Sequence, residues 1–291
     1  MESQKFYQKV LQTKVCLYCG AFIVLVSIMA LFAEVISPYP FYKQFPEKAL
    51  QSYSWSHWLG TDHLGRDLLS RIIYGSRMSM AIGIFTALIS AVLGVAYGMI
   101  SAWFGGITDR VMMRFVDMMY SIPTLVLLIL AKVVFDSFVD ISHPEIRTLI
   151  GTLVALSLVS WTSLARVVRG QVLQVKENQY VESARSLGAS SWRIVMFYIL
   201  PNIATPIIIL LTFQIPSNIL FESMLSFLGL GLQPPFSSWG VLVDEGWRSL
   251  STYPRLILAP GIMLFITMVA FNLLGDGLRD IFDPNREVLK H

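Results

Sequence analysis

Charge is scarce in this chain of 291 residues: 14% are charged, where a soluble domain carries about a quarter. With 55% hydrophobic residues and a mean hydropathy of +0.62, the chain lacks the polar groups to cover a water-facing surface, and it reads as a bilayer protein. Cysteine is nearly absent as well. Cys16 and Cys19 form a CxxC without a second pair or a histidine partner, so neither a zinc site nor a disulfide framework is assigned. The net charge of +3 is small, and the basic residues lie between apolar runs instead of forming a patch, which excludes nucleic acid as a partner.

The catalytic signatures are missing too. No GxxxxGK[ST] phosphate loop, HExxH or GxSxG occurs, so nothing here cradles a nucleotide or activates water. The four histidines, His57, His63, His143 and His291, do not cluster in sequence with the carboxylates an enzyme site needs. His57, Asp62 and His63 are near one another, but two histidines and a carboxylate in a Gly-rich turn are common without a metal, and none is assigned. The expectation is a chain without catalytic or metal-binding residues and without a cofactor of its own.

What is present is hydrophobic length. A span needs about 20 mostly apolar residues, and six stretches qualify: 15–36, 78–103, 119–135, 148–165, 203–225 and 256–275. All should be helices, because an open sheet edge cannot satisfy its backbone in lipid. The first run follows Lys5, Lys9 and Lys14 and is longer than the 7 to 15 residues of a signal-peptide core, so it reads as a retained span. With the N-terminus inside, the inner segments hold thirteen Lys and Arg (Lys5, Lys9, Lys14, Arg110, Arg114, Arg166, Arg169, Lys176, Arg185, Arg193, Arg279, Arg286, Lys290). The outer ones hold eight (Lys43, Lys48, Arg66, Arg71, Arg77, Arg147, Arg248, Arg255). The positive-inside rule then puts both termini in the cytoplasm. Lys132, inside the third run near its outer end, is expected to snorkel to the interface. Two regions follow: 1–77, with a tail, the first span and an outer segment, and 78–291, a five-helix core with a long inner loop at about 166–202.

That inner loop parses as helix, tight turn, helix. Gly188 suits the left-handed position that closes a helix, Ser190 or Ser191 can cap the next, and Pro201 is expected to end it. Ser183, Ala184, Gly188 and Ala189 are small enough for a partner backbone to approach, with Glu182, Arg185 and Arg193 placing charge around the contact. Periodicity alone leaves two readings: a docking hairpin, or an amphipathic hairpin on the inner leaflet anchored by Trp192 and Tyr198.

In the fifth span Gln214, Asn218 and Glu222 recur every fourth residue and share one helical face, with Pro216 an expected kink. Polar groups at membrane depth face protein or a watery cavity, so these three are candidate path-lining residues; interhelical hydrogen bonding as packing glue is the alternative. On the outer side, Gly60-Thr61-Asp62 and Gly65-Arg66-Asp67 precede an amphipathic pattern at Leu68, Leu69, Ile72 and Ile73, expected as a short surface helix. After the fifth span Gly229, Gly231, Pro234 and Pro235 break the helix, and Trp239 and Trp247 fit an interfacial belt.

Glu182-Ser183-Ala184, Gly188 and Leu200-Pro201 resemble the EAA loop of bacterial ABC importer permeases. The stretches from His57 to Asp67, Ala165 to Gln171, Ser226 to Pro235, Ser238 to Gly240 and Phe271 to Asp280 resemble the C-type permease of dipeptide, oligopeptide and nickel importers, in family order over about 54–284. Ser183 replaces the usual first Ala, and Tyr198 stands where that subfamily commonly has His. The resemblance implies an all-α integral membrane protein with six transmembrane helices, the type I (MetI-like) permease fold and a cytoplasmic coupling helix. It implies docking of Glu182, Ser183, Ala184, Arg185, Gly188, Ala189, Ser190 and Arg193 to an ATPase. The implied partners are a second permease in a heterodimer, two ATP-binding subunits that hold ATP and Mg, an extracytoplasmic binding protein and membrane lipid. The implied place is the bacterial inner membrane and the implied cargo is peptide, with nickel or metal chelates as the alternative. Composition alone also admits a secondary transporter or channel.

Overall fold

The structure, a computed structural model, describes residues 14–139, 141–233 and 236–282. Lys5, Lys9, Pro234, Pro235, Arg286, Lys290 and His291 lie outside them. Among the described residues there is no β-strand, only an isolated bridge between Thr61 and Asp67. The helices are α1 (Lys14–Leu31), α2 (Ala33–Ile36), α3 (Leu68–Phe104), α4 (Gly106–Tyr120), α5 (Thr124–Phe138), α6 (Pro144–Lys176), α7 (Gln179–Ser186), α8 (Ser191–Ile194), α9 (Leu200–Phe227), α10 (Trp239–Trp247) and α11 (Arg255–Phe282). Five helical rods are long and apolar enough to cross a bilayer, and the count reaches six when the bent pair α4 and α5 is taken as one span.

That sixth span departs from the expected continuous 119–135. It breaks at 121–123 and bends by 96°. Pro123 lacks an N–H and its ring disfavours α geometry at Ile122, so α4 stops and α5 restarts after the proline. The expected short outer helix at Leu68 is also revised: it is fused to the second span as the 37-residue α3. Asp67 caps α3 by accepting from Ser70 N at 2.8 Å, and no proline interrupts the run that follows. At about 55 Å, α3 is far longer than the bilayer core.

Small residues set the main contact. A Cβ on Gly98 would stand 2.5 Å from Ala165 O, and one on Gly94 2.8 Å from Leu164 Cβ, so α3 and α6 approach backbone to backbone. Below that crossing Ala102, Val168, Val172, Ile194 and Ile203 form one core; at the opposite end Leu68, Ile72, Trp239, Leu242 and Leu256 form another.

Lys132 does not snorkel. It is 1% exposed, and its ammonium donates to both carboxylate oxygens of Asp136 at 2.6 and 2.7 Å. A buried ammonium is costly without a paired charge, and Gly151 makes the room, since a Cβ there would lie 3.0 Å from Lys132 Nζ.

Candidate functional site

The two ends of the bundle differ. At one end the segment 37–67, α10 and the start of α11 are tied together by buried polar contacts. Asp62 accepts from Arg66 Nε at 2.6 Å and Arg71 Nη1 at 2.8 Å, and Glu245 pairs with both arginines. His57 meets Asp67 at 2.9 Å, while His63 bonds to Ser249. The three residues weighed for a metal therefore have separate partners.

At the other end, α6 runs past the bilayer to Lys176, whose ammonium donates to the carbonyls of Ala102 and Trp103 at 3.2 and 2.9 Å. A cation on the last carbonyls of α3 compensates the negative helix end. Arg185 lies over the Trp103 ring at 5.9 Å. This fastening fixes the root of the hairpin α7–α8.

The hairpin itself is closed as its residues direct. Gly188 has φ +82°, Gly188 N donates to Arg185 O and Ala189 N to Ala184 O, both at 3.0 Å, the paired bonds of a Schellman ending. Ser190 Oγ accepts from Arg193 N at 3.4 Å and starts α8. Val181, Ala184 and Ile194 are buried inward, and Ala189 packs beside them. Glu182, Ser183, Arg185, Gly188, Ser190 and Arg193 face outward. So do Leu187, 88% exposed, and Trp192, 71% exposed. A Cβ on Gly188 would meet nothing within 4 Å. Among the described residues nothing covers that surface.

Pro201 does not end the second helix. Residues 191–227 form one continuous rod, with a π-turn at Val195–Ile199 directly before α9. A wider turn there accommodates a residue with no N–H and a bulky ring. The hairpin is thus joined without a hinge loop to the helix that carries the polar stripe.

That stripe divides. Gln214 Nε2 donates to Ser160 O at 2.7 Å, Asn218 Oδ1 accepts from Ser160 Oγ at 2.9 Å, and both residues border a cleft of about 290 Å³ between α5, α6 and α9. Ser163 and Ser217 also border it. Glu222 does not. It is wholly buried, and its carboxylate accepts from Ser226 Oγ and Ser238 Oγ at 2.8 Å each and from Ser79 Oγ at 3.5 Å. Reading the fifth span alone missed Ser160; the signal was Ser157, Ser160 and Ser163 repeating every third residue in the fourth.

A bundle with this hairpin is what the comparisons select. The family model described as the binding-protein-dependent transport system inner membrane component matches residues 94–288. The chain belongs to this family. It is an ABC importer permease subunit, and the hairpin, the cleft, and Glu222 with Ser226 and Ser238 fall within the matched residues, whereas Ser79 precedes them. The chain is 36% identical to the glutathione transport system permease protein GsiD of Pectobacterium atrosepticum over 97% of its own length and 90% of that protein's. It is 40% identical to the dipeptide transport system permease protein DppC of Bacillus subtilis, over 91% and 80% respectively. An inward-facing structure of the MetNI methionine ABC transporter superposes with a TM-score of 0.61, 18% identity, and coverage of 74% of this chain and 98% of that one. At that identity the likeness concerns the fold.

Proposed function

We propose that this permease subunit moves short peptides across the bacterial inner membrane, with both termini in the cytoplasm. The observation that carries the reading is the hairpin: anchored by buried Val181, Ala184 and Ile194, it presents Gly188, Leu187 and Trp192 outward on a rod continuous with α9. ATPase closure against that face tilts α9 as a lever and changes the width of the cleft at Gln214 and Asn218. Relatives named for glutathione and dipeptide cargo favour peptides over nickel or metal chelates. The working complex comprises a second permease, two ATP-binding subunits that hold ATP and Mg, and an extracytoplasmic binding protein. The thirteen-to-eight excess of basic residues in the segments beside the hairpin supports its cytoplasmic placement.

The test begins with a tagged copy extracted from native membranes in mild detergent. Two ATPases and a second permease should co-purify. In proteoliposomes, with the binding protein added, the complex should take up labelled di- and tripeptides only with ATP. The chain purifying with itself alone, or ATP-independent uptake, would overturn the reading.

A further inference from the structure

At the end opposite the hairpin, an apolar groove of about 630 Å³ runs between α1, α3 and α11. Its walls include Met29, Ile72, Leu258, Ala259 and Met263. Leu258 is 54% exposed on a helix that crosses the membrane, so the groove opens toward lipid hydrocarbon. From Arg255 to Met263 the groove follows α11 for about 12 Å.

Tyr53, Tyr253 and Arg255 are its polar lining residues beside Thr252. Arg66, Arg71 and Arg77 at this end each hold a carboxylate. Arg255 instead donates from Nη2 to two neutral carbonyls, Leu50 O at 2.8 Å and Gln51 O at 2.9 Å. Its buried Nε meets no acceptor, and among the described residues no carboxylate pairs with it. Its Cζ also lies 5.3 Å from the centre of the Tyr253 ring, so among the described residues the guanidinium meets neutral groups and no anion. Beside it Tyr53, Trp55 and Trp58 form an exposed aromatic cluster, with Trp55 97% exposed. Exposed tryptophan and tyrosine next to apolar spans mark headgroup depth.

We propose that this groove binds an anionic glycerophospholipid, its phosphate on Arg255 and one acyl chain along α11. A cation at headgroup depth over an apolar slot complements the two halves of such a molecule. The acyl chain gains little by leaving one hydrocarbon environment for another. Both lipid classes present a phosphate, so selectivity comes from net charge: phosphatidylcholine compensates its phosphate with its own quaternary ammonium, whereas an anionic lipid leaves its charge for Arg255.

The test uses the whole importer complex in phosphatidylcholine vesicles doped with phosphatidylglycerol that carries a diazirine on its acyl chain, against a matching phosphatidylcholine probe. After irradiation and digestion, phosphatidylglycerol should label Met29 and the 255–263 stretch about tenfold above the phosphatidylcholine probe, the ratio one hydrogen bond to a charged group supports. Arg255→Gln should reduce that ratio toward one, and Arg255→Lys should retain part of it. Because Arg255→Gln also frees the 50–51 backbone, Ala259→Trp serves as the second variant: it fills the groove, leaves Arg255 in place, and should abolish the enrichment. Equal labelling by both probes, labelling unchanged by Ala259→Trp, or no labelling of the groove because another subunit covers it would overturn the proposal.

Discussion

Asp109 accepts two hydrogen bonds from the Arg169 guanidinium, at 2.5 and 2.6 Å, and a third from Ser101 Oγ at 2.5 Å. Three helices, α3, α4 and α6, meet at that one carboxylate. α4 needs such a tie, because Ile107 and Val111 point outward at 72% and 64% exposure and Val116 is its only described residue that is buried.

Asp109→Asn should therefore loosen α4. A two-pronged bond to a charged group is worth about 1 to 3 kcal/mol, and solvent around the partly exposed Arg169 brings the expected loss to the lower part of that range. Asp117, paired with Arg166 where both side chains are about half exposed, should contribute far less. Thermal unfolding of the detergent-solubilised complex is the measurement. Equal melting of wild type, Asp109→Asn and Asp117→Asn would mean that α4 is held by something else.

At Gly188 conformational strain can be separated from docking. A left-handed φ costs a Cβ-bearing residue about 1 to 2 kcal/mol, and Asn pays less than Val. Since no atom of the described residues lies within 4 Å of a Cβ there, both Gly188→Asn and Gly188→Val should assemble in the membrane. Gly188→Val should lose peptide uptake while the complex still hydrolyses ATP, and Gly188→Asn should be milder. Normal uptake in Gly188→Val would sink the docking of this turn.

Gln214→Ala should change which peptides pass, read as uptake rates across a peptide series, with little effect on yield, whereas Asn218→Ala should lower yield as well, because Asn218 is 1% exposed and its loss leaves Ser160 Oγ without its acceptor. Glu222 should behave differently. Removing its carboxylate with Glu222→Leu leaves the Ser226 and Ser238 hydroxyls without their acceptor in a buried node, at a cost of about 1 to 3 kcal/mol for each group left unmet. Assembly yield should fall in Glu222→Leu and persist in Glu222→Gln. If Glu222→Leu assembles normally and alters only uptake, the carboxylate belongs to the path after all.

Asp67 serves α3 and His57 at once. Loss of an N-cap alone costs about 1 kcal/mol, and Asp67→Ala also strands His57, which is fully buried. The melting temperature should drop further in Asp67→Ala than in Ser190→Ala, which removes a single exposed cap at the hairpin. The reverse order would show that the 57–67 segment carries no such weight.

Local signals read well in this chain. Apolar runs marked the spans, Gly188 marked a left-handed turn, and Ser190 marked a cap, because each depends on residues within a few positions. Pro123 broke the third span for an equally local reason that the hydropathy window averaged away. Pro201 misled, since a π-turn upstream absorbed it.

The sequence by itself determined that this chain is a helical membrane bundle with a hairpin and a polar face on its fifth span, because apolar runs of about 20 residues fit spanning helices and not the shorter, alternating strands of a closed barrel. Only the tertiary structure decided what each polar group does there. Glu222 is met by Ser79, 143 positions away in the chain, and Lys132 finds room because Gly151 lacks a side chain. A helical period tells which residues share a face, whereas the partner opposite that face comes from another helix.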